Sequence, residues 1–84
     1  MKTIEIRYFA SIRESLGKSG ETLHTTAPNV AALRDELIAR GGAYAQALAR
    51  GKAVRAAVNQ TMSAEETVLP EGAELAFFPP VTGG

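Results

Sequence analysis

From Lys2 to Phe9 the chain alternates, with Ile4, Ile6 and Tyr8 on one side and Glu5 and Arg7 on the other. A period of two marks a strand buried on one face. Phe9 joins the polar side of this alternation and is expected to point outward. Ala10 to Leu16 reads as a short helical turn closed by Gly17. Glu21 to Thr26, β-branched around Leu23, reads as a second strand. The turn residues at 17–20 predict a hairpin between these two strands. Asn29 is a helix N-cap, followed at helical spacing by Val30, Leu33 and Leu37, with Ile38 beside them. Gly41-Gly42 ends this helix, and Glu36 and Arg40 are spaced to pair on its exposed side. Ala43 to Ala49 reads as a second, Ala-rich turn.

Ala53 to Val58 is nearly continuous in apolar character, which predicts a third strand with a central position. Asn59-Gln60 is a turn signal. Val68-Leu69 is a short strand or loop fragment, Pro70-Glu71-Gly72 a turn, and Glu74 to Phe78 the last strand. One main helix must then cover one face of a small mixed sheet, because no other segment is long enough. This order predicts an α+β, β-grasp (ubiquitin-like) fold of about five strands, with the first and last strands parallel neighbours at the centre. A single domain over 1–84 is expected.

The last segment changes the picture. Phe77-Phe78-Pro79-Pro80-Val81-Thr82-Gly83-Gly84 leads from a hydrophobic strand through two prolines to two glycines. Pro79 and Pro80 lack N–H donors and fix φ, so they end the sheet and stiffen the exit. Residues 79–84 are expected to form a flexible C-terminal tail reaching roughly 20 Å if extended. Gly83 and Gly84 would give it a tip without side chains, able to enter a narrow site on another protein.

Conventional catalytic constellations are absent from the sequence. There is no cysteine and one histidine, His24, so thiol chemistry and a metal cage are not expected. His24 lies between Leu23 and Thr25 in a strand and is the one candidate base for any Ser or Thr. Gly17-Lys18-Ser19-Gly20 lacks the spacing and following helix of a phosphate loop. Nine basic and nine acidic residues leave no net charge, which argues against nucleic acid. Without a long apolar run or a signal-peptide pattern, no membrane contact is expected and a cytoplasmic location is. Arg50, Lys52 and Arg55 cluster before a strand, whereas Glu65, Glu66, Glu71 and Glu74 follow it. The late acidic run reads either as steering toward a basic partner or as a solvated loop.

With no catalytic apparatus of its own, the chain reads as something acted upon. A carboxylate on Gly84 is inert to acyl transfer until adenylation supplies a good leaving group. A sulfur donor could then displace AMP and leave a nucleophilic thiocarboxylate.

The segment from Phe77 to Gly84 resembles the C-terminal signature of the molybdopterin synthase small subunits, a family of sulfur carriers. Ala57-Val58-Asn59-Gln60, Tyr8-Phe9-Ala10 and Arg13-Glu14 resemble the same family, and the length agrees; Ser63 to Pro70 does not match it. The resemblance implies that a ubiquitin-activating-like adenylyltransferase adenylates Gly84 with ATP and that Gly84 becomes a thiocarboxylate. The tail residues Pro79, Pro80, Val81, Thr82 and Gly83 would enter the large subunit of the synthase, which supplies the catalytic side chains. Sulfur would pass to cyclic pyranopterin monophosphate in molybdenum cofactor biosynthesis. Two carriers on a dimer of large subunits would make a heterotetramer, and the carrier itself would bind no cofactor.

Parity places Phe78 on the outer sheet face when Leu75 and Phe77 face the core. Phe9 shares that face on the neighbouring strand, and Met62, just past the turn, extends it. Phe78, Phe9 and Met62 are therefore the expected partner interface. Three other readings stay open: a thiamin-type sulfur carrier, a ubiquitin-like protein modifier, and a binding module with an inert tail.

Overall fold

The computed structural model describes residues 1–80. In chain order these form β1 (Lys2–Tyr8), α1 (Ala10–Leu16), β2 (Gly20–Thr25), α2 (Val30–Ile38), α3 (Gly42–Ala47), β3 (Arg55–Val58), β4 (Thr61–Ser63) and β5 (Glu74–Phe78). The sheet order is β2-β1-β5-β3-β4. β1 and β5 run parallel, with Ile6 opposite Leu75 and Tyr8 opposite Phe77. The remaining pairs are antiparallel. This is the expected β-grasp arrangement, with the first and last strands side by side.

Alternation decides which face is buried. Ile4, Ile6 and Tyr8 of β1 and Leu75 and Phe77 of β5 are at most 1% exposed. They pack beneath Val30, Leu33 and Leu37 of α2. The Tyr8 and Phe77 rings stack with centroids 6.4 Å apart. Burying a side chain of this size contributes roughly 1.5–3 kcal/mol, so the β1–β5 pair is the centre of the core as well as of the sheet.

The cover is more divided than one helix. The nine residues of α2 span only about 13 Å, whereas five strands are roughly 19 Å across. α1 and α3 cover the remainder through Ile12 and Ala47, both buried, with Leu48 beside them. No helix among the described residues is long and apolar enough to cross a membrane.

Local signals explain most boundaries. The Asn29 side chain accepts from the Ala32 N–H at 2.9 Å and caps α2. Gly17 closes α1 at φ 71°, a left-handed conformation that favours glycine. The first two strands are antiparallel neighbours as expected, and the helical turn expected over Ala10 to Leu16 is α1, which connects them ahead of the 17–20 turn. Gly20 lies opposite Arg7, so close to β1 that a Cβ there would stand 2.5 Å from the Ile6 carbonyl oxygen.

Three details depart from expectation. Glu36 and Arg40 do not pair. The helix ends at Ile38, so Arg40 leaves the helical spacing and reaches Glu21 at 3.0 Å, while Glu36 accepts from the Thr25 hydroxyl. β3 starts at Arg55 rather than Ala53 and lies one place off the centre, which belongs to β5. β4, at three residues, is too short to show a period of two.

Candidate functional site at the tail root

β5 delivers the chain to the point where the tail begins. Its end is held on both sides: Phe9 N–H donates to the Phe77 carbonyl at 3.1 Å, and Phe78 pairs with Arg55 of β3. Asn59 holds its start. The Asn59 N–H donates to the Glu74 carbonyl at 2.8 Å, and the Glu74 N–H returns to Asn59 Oδ1 at 2.9 Å. Glu74 in turn accepts from Arg7 Nε at 2.9 Å.

Pro79 leaves the strand beside a cavity of about 100 Å³, lined with Ser11, Ile12 and Ser15 of α1 and with Lys52 and Val54. Pro79 and Pro80 are both half-buried. Pro79 thus lines one side of a cavity whose other walls are α1 and the segment before β3. Val81, Thr82, Gly83 and Gly84 lie outside the described residues.

The outer sheet face carries the three expected aromatic and sulfur-bearing side chains. Phe9 is 45% exposed, Met62 is 60% exposed and Phe78 is half-buried. The β1–β5 register, continued one residue past Tyr8–Phe77, sets Phe9 beside Phe78. Met62 is farther off, on β4, separated from β5 by Ala57; the row runs Met62, Ala57, Ala76, Arg7. Two strand spacings put it roughly 10 Å away. The small residues Ala57 and Ala76 form a shallow apolar floor between it and the aromatic pair.

This geometry is a folded sheet that ends in Pro79-Pro80, with an apolar surface beside that exit. Ala10, directly after Phe9, has φ 52°, an unusual conformation for alanine. It turns the backbone from β1 into α1 so that Phe9 stays on the outer side.

The sequence matches the ThiS family over residues 6–84. The chain belongs to the ThiS family. Two relatives are each named a molybdopterin synthase sulfur carrier subunit. The one from Escherichia coli is 43% identical, and the one from Haemophilus influenzae is 38% identical. Each alignment covers 96% of this chain and 99% of the relative. Among solved structures, SAMP1 from Haloferax volcanii superposes with a TM-score of 0.75 at 26% identity, over 98% of this chain and 99% of that one. A complex of subunits 1 and 2 of the Helicobacter pylori molybdopterin-converting factor gives 0.66 at 21% identity, over 98% and 99%, which speaks for the fold alone.

Within this ThiS-family fold, charge is arranged differently from its order in sequence. Glu65 receives Arg34 at 2.7 Å and is also bonded by Arg50. Burial pushes its carboxyl up, but hydrogen bonds from Arg50 and Arg34 outweigh this and hold it below the ordinary carboxylate range. Glu71 accepts from the Thr3 N–H, and Glu74 pairs with Arg7. Two of the four late glutamates, Glu65 and Glu74, are thus ion-paired within the fold, while Glu71 is hydrogen-bonded by a backbone N–H only.

Sequence reasoning passed over Arg34. It sits on the apolar side of α2, 5% exposed, with Nε on the Leu48 carbonyl and Nη2 on the Ala49 carbonyl. These bonds lock the segment after α3, which leads to Lys52 and the Pro79 cavity. Its signal was its place between Leu33 and Leu37, where a charged side chain needs partners. A larger groove of about 330 Å³ runs past Met62, Arg55 and Glu65 beside β4; its Arg34 and Glu65 neutralise each other.

Proposed function

We propose that this chain is the sulfur carrier subunit of a molybdopterin synthase. The observation that carries the reading is the 43% identity to the Escherichia coli sulfur carrier subunit across 96% of this chain. The match to the family runs through Gly84, and the two prolines after β5 suit the stiff root of a tail that must enter other proteins. In this reading a ubiquitin-activating-like enzyme uses ATP to adenylate the Gly84 carboxylate, releasing pyrophosphate. A sulfur nucleophile displaces AMP, and Gly84 carries a thiocarboxylate. Residues 79–84 enter the large subunit, where sulfur passes to cyclic pyranopterin monophosphate. The carrier contributes the sulfur and its placement; the catalytic side chains belong to the large subunit. Phe78 and Phe9 anchor the complex, with Met62 at its margin, and the work takes place in the cytoplasm.

The likeness to SAMP1 favours a second reading. A solved structure of similar fold is named small archaeal modifier protein 1, and a modifier would form bonds to lysine amines. The products separate the two. Incubation with ATP, the activating enzyme and sulfide is expected to add the mass of one oxygen-to-sulfur exchange at Gly84. Higher-mass conjugates without that exchange would favour the modifier.

A further inference from the structure

The nine basic side chains fall into two groups. Arg7, Lys18, Arg34, Arg40 and Arg50 each pair with a carboxylate, and Lys2 donates to the Leu69 carbonyl at 2.7 Å. Among the described residues, Arg13, Lys52 and Arg55 have neither an acidic partner nor a side-chain hydrogen bond, and all three are exposed. Arg13 is far in sequence from Lys52 and Arg55, yet the fold brings it to the same end of β5. Lys52 lines the cavity beside Pro79. Arg55 is the register partner of Phe78. Arg13 lies one helical turn after Phe9 and donates its backbone N–H to the Phe9 carbonyl, so the two share a side of the α1 start. Glu14, on the same helix, bonds none of them.

A chain of zero net charge that pairs its other arginines and leaves these three cations without a partner among the described residues around Phe9, Phe78 and Pro79 has an electropositive rim there. We infer that this rim docks on carboxylates surrounding the entrance through which a protein partner receives the tail. The inference rests on the sulfur-carrier reading and names the chemistry of its partner surface. The aromatic pair supplies buried apolar area, while the rim sets approach and orientation, so that the tail root faces the entrance before the apolar contact forms. Three cations beside an apolar patch suit a protein surface better than a polyanion, which would need a longer basic track.

The test uses the full chain with Lys52→Glu and Arg55→Glu combined, and Arg13→Glu separately, after circular dichroism shows native folding. Neutral Lys52→Gln and Arg55→Gln forms serve as second variants. Association with the large subunit of molybdopterin synthase is followed by stopped flow at low and high salt. The double reversal is expected to slow association about tenfold at low salt, with the gap closing at about 1 M salt, where the Debye length falls to ~3 Å. The neutral forms should fall between. Unchanged rates and an unchanged salt slope in the reversal, with the wild type binding and gaining sulfur at Gly84, overturn the rim alone. A wild type that neither binds nor gains sulfur overturns the carrier reading, and the rim with it. Cation-dependent capture of a single-stranded oligonucleotide, with partner rates unaffected, assigns the rim to a polyanion and rejects the protein surface.

Discussion

Asn59 grips Glu74 twice, giving its backbone N–H to the Glu74 carbonyl and taking the Glu74 N–H on its side-chain oxygen. The β3–β4 turn is thereby fastened to the first residue of the strand that ends at the tail. Asn59 and Gln60 have φ of 49° and 69°, the signs of a type I′ hairpin. Asn59→Gly should keep the turn and lose one bond, lowering stability by about 0.5–1.5 kcal/mol. Asn59→Ala should lose more, because alanine in the left-handed region adds about 1–2 kcal/mol. Urea denaturation checks the order; equal stability of wild type and Asn59→Gly would show that the side-chain bond contributes nothing. Gln60→Gly is expected to stabilise the turn by up to about 1 kcal/mol.

Acid sensitivity should centre on Glu21. Its carboxylate accepts from the Tyr44 hydroxyl at 2.7 Å, the Tyr8 hydroxyl at 2.8 Å and Arg40 at 3.0 Å, joining β1, β2 and the helices. Burial pushes Glu21 up, but the bonds from Tyr44, Arg40 and Tyr8 outweigh it and hold the group below its ordinary 4.5. Burial and the Glu21 bond push the Tyr8 phenol up, so it remains a donor. A depressed carboxyl stabilises the fold above its unfolded pKa, and that contribution is lost as pH falls through the folded value. The Tm should therefore hold from neutral pH to about 5 and drop below about 4.5. Glu21→Gln should lie below the wild type at pH 7 and converge with it in acid. A constant gap across that range would remove Glu21 from the acid transition.

The residues that read most clearly were those whose signal is local. Alternation in β1 and β5, the Asn29 cap and the Gly17 closure each act within a few residues, so Ile4, Ile6, Tyr8, Leu75 and Phe77 were assignable to the core. The same parity put Phe9 and Phe78 on the outer face, where they lie side by side. What depended on distant partners did not read. Arg40 reaches back to Glu21 because the helix stops first, Arg34 finds carbonyls at 48 and 49, and Glu65 is taken by two arginines. Within the acidic run from 65 to 74, the fold thus pairs Glu65 and Glu74 with arginines that the sequence order did not indicate. Lys52 and Arg55 were already neighbours in sequence, and Arg13 joins them only once α1 and the start of β3 come together at the end of β5.

Phe78→Ala and Phe9→Ala should weaken the partner complex while leaving the body folded. Neither ring belongs to the buried core, and full burial of one is worth roughly 1.5–3 kcal/mol. Phe78 is already half-buried, so its loss should sit at the lower part of that range, about a tenfold rise in Kd. Met62→Ala, farther from the aromatic pair, should act less. Titration calorimetry with the large subunit gives the ranking; a Met62→Ala effect larger than either phenylalanine would move the interface centre toward β4.

Removing Gly84 tests the carrier reading most directly. The buried core is drawn from residues 4–77, so the shortened chain should melt with the full-length one. It should also retain the Phe9–Phe78 surface and still bind the large subunit. What it should lose is sulfur transfer, because the new terminal carboxylate sits one residue, about 3.5 Å, short of the activating and transferring centres. A single-residue shortfall of that size is large against the roughly 3 Å approach that reacting atoms need. Adding a glycine back restores the reach, so Gly84 deletion and restoration together separate tail length from fold. Transfer that persists in the deleted chain would place the sulfur elsewhere and end the proposal; intact melting with lost transfer, recovered on restoration, assigns the reaction to the tip.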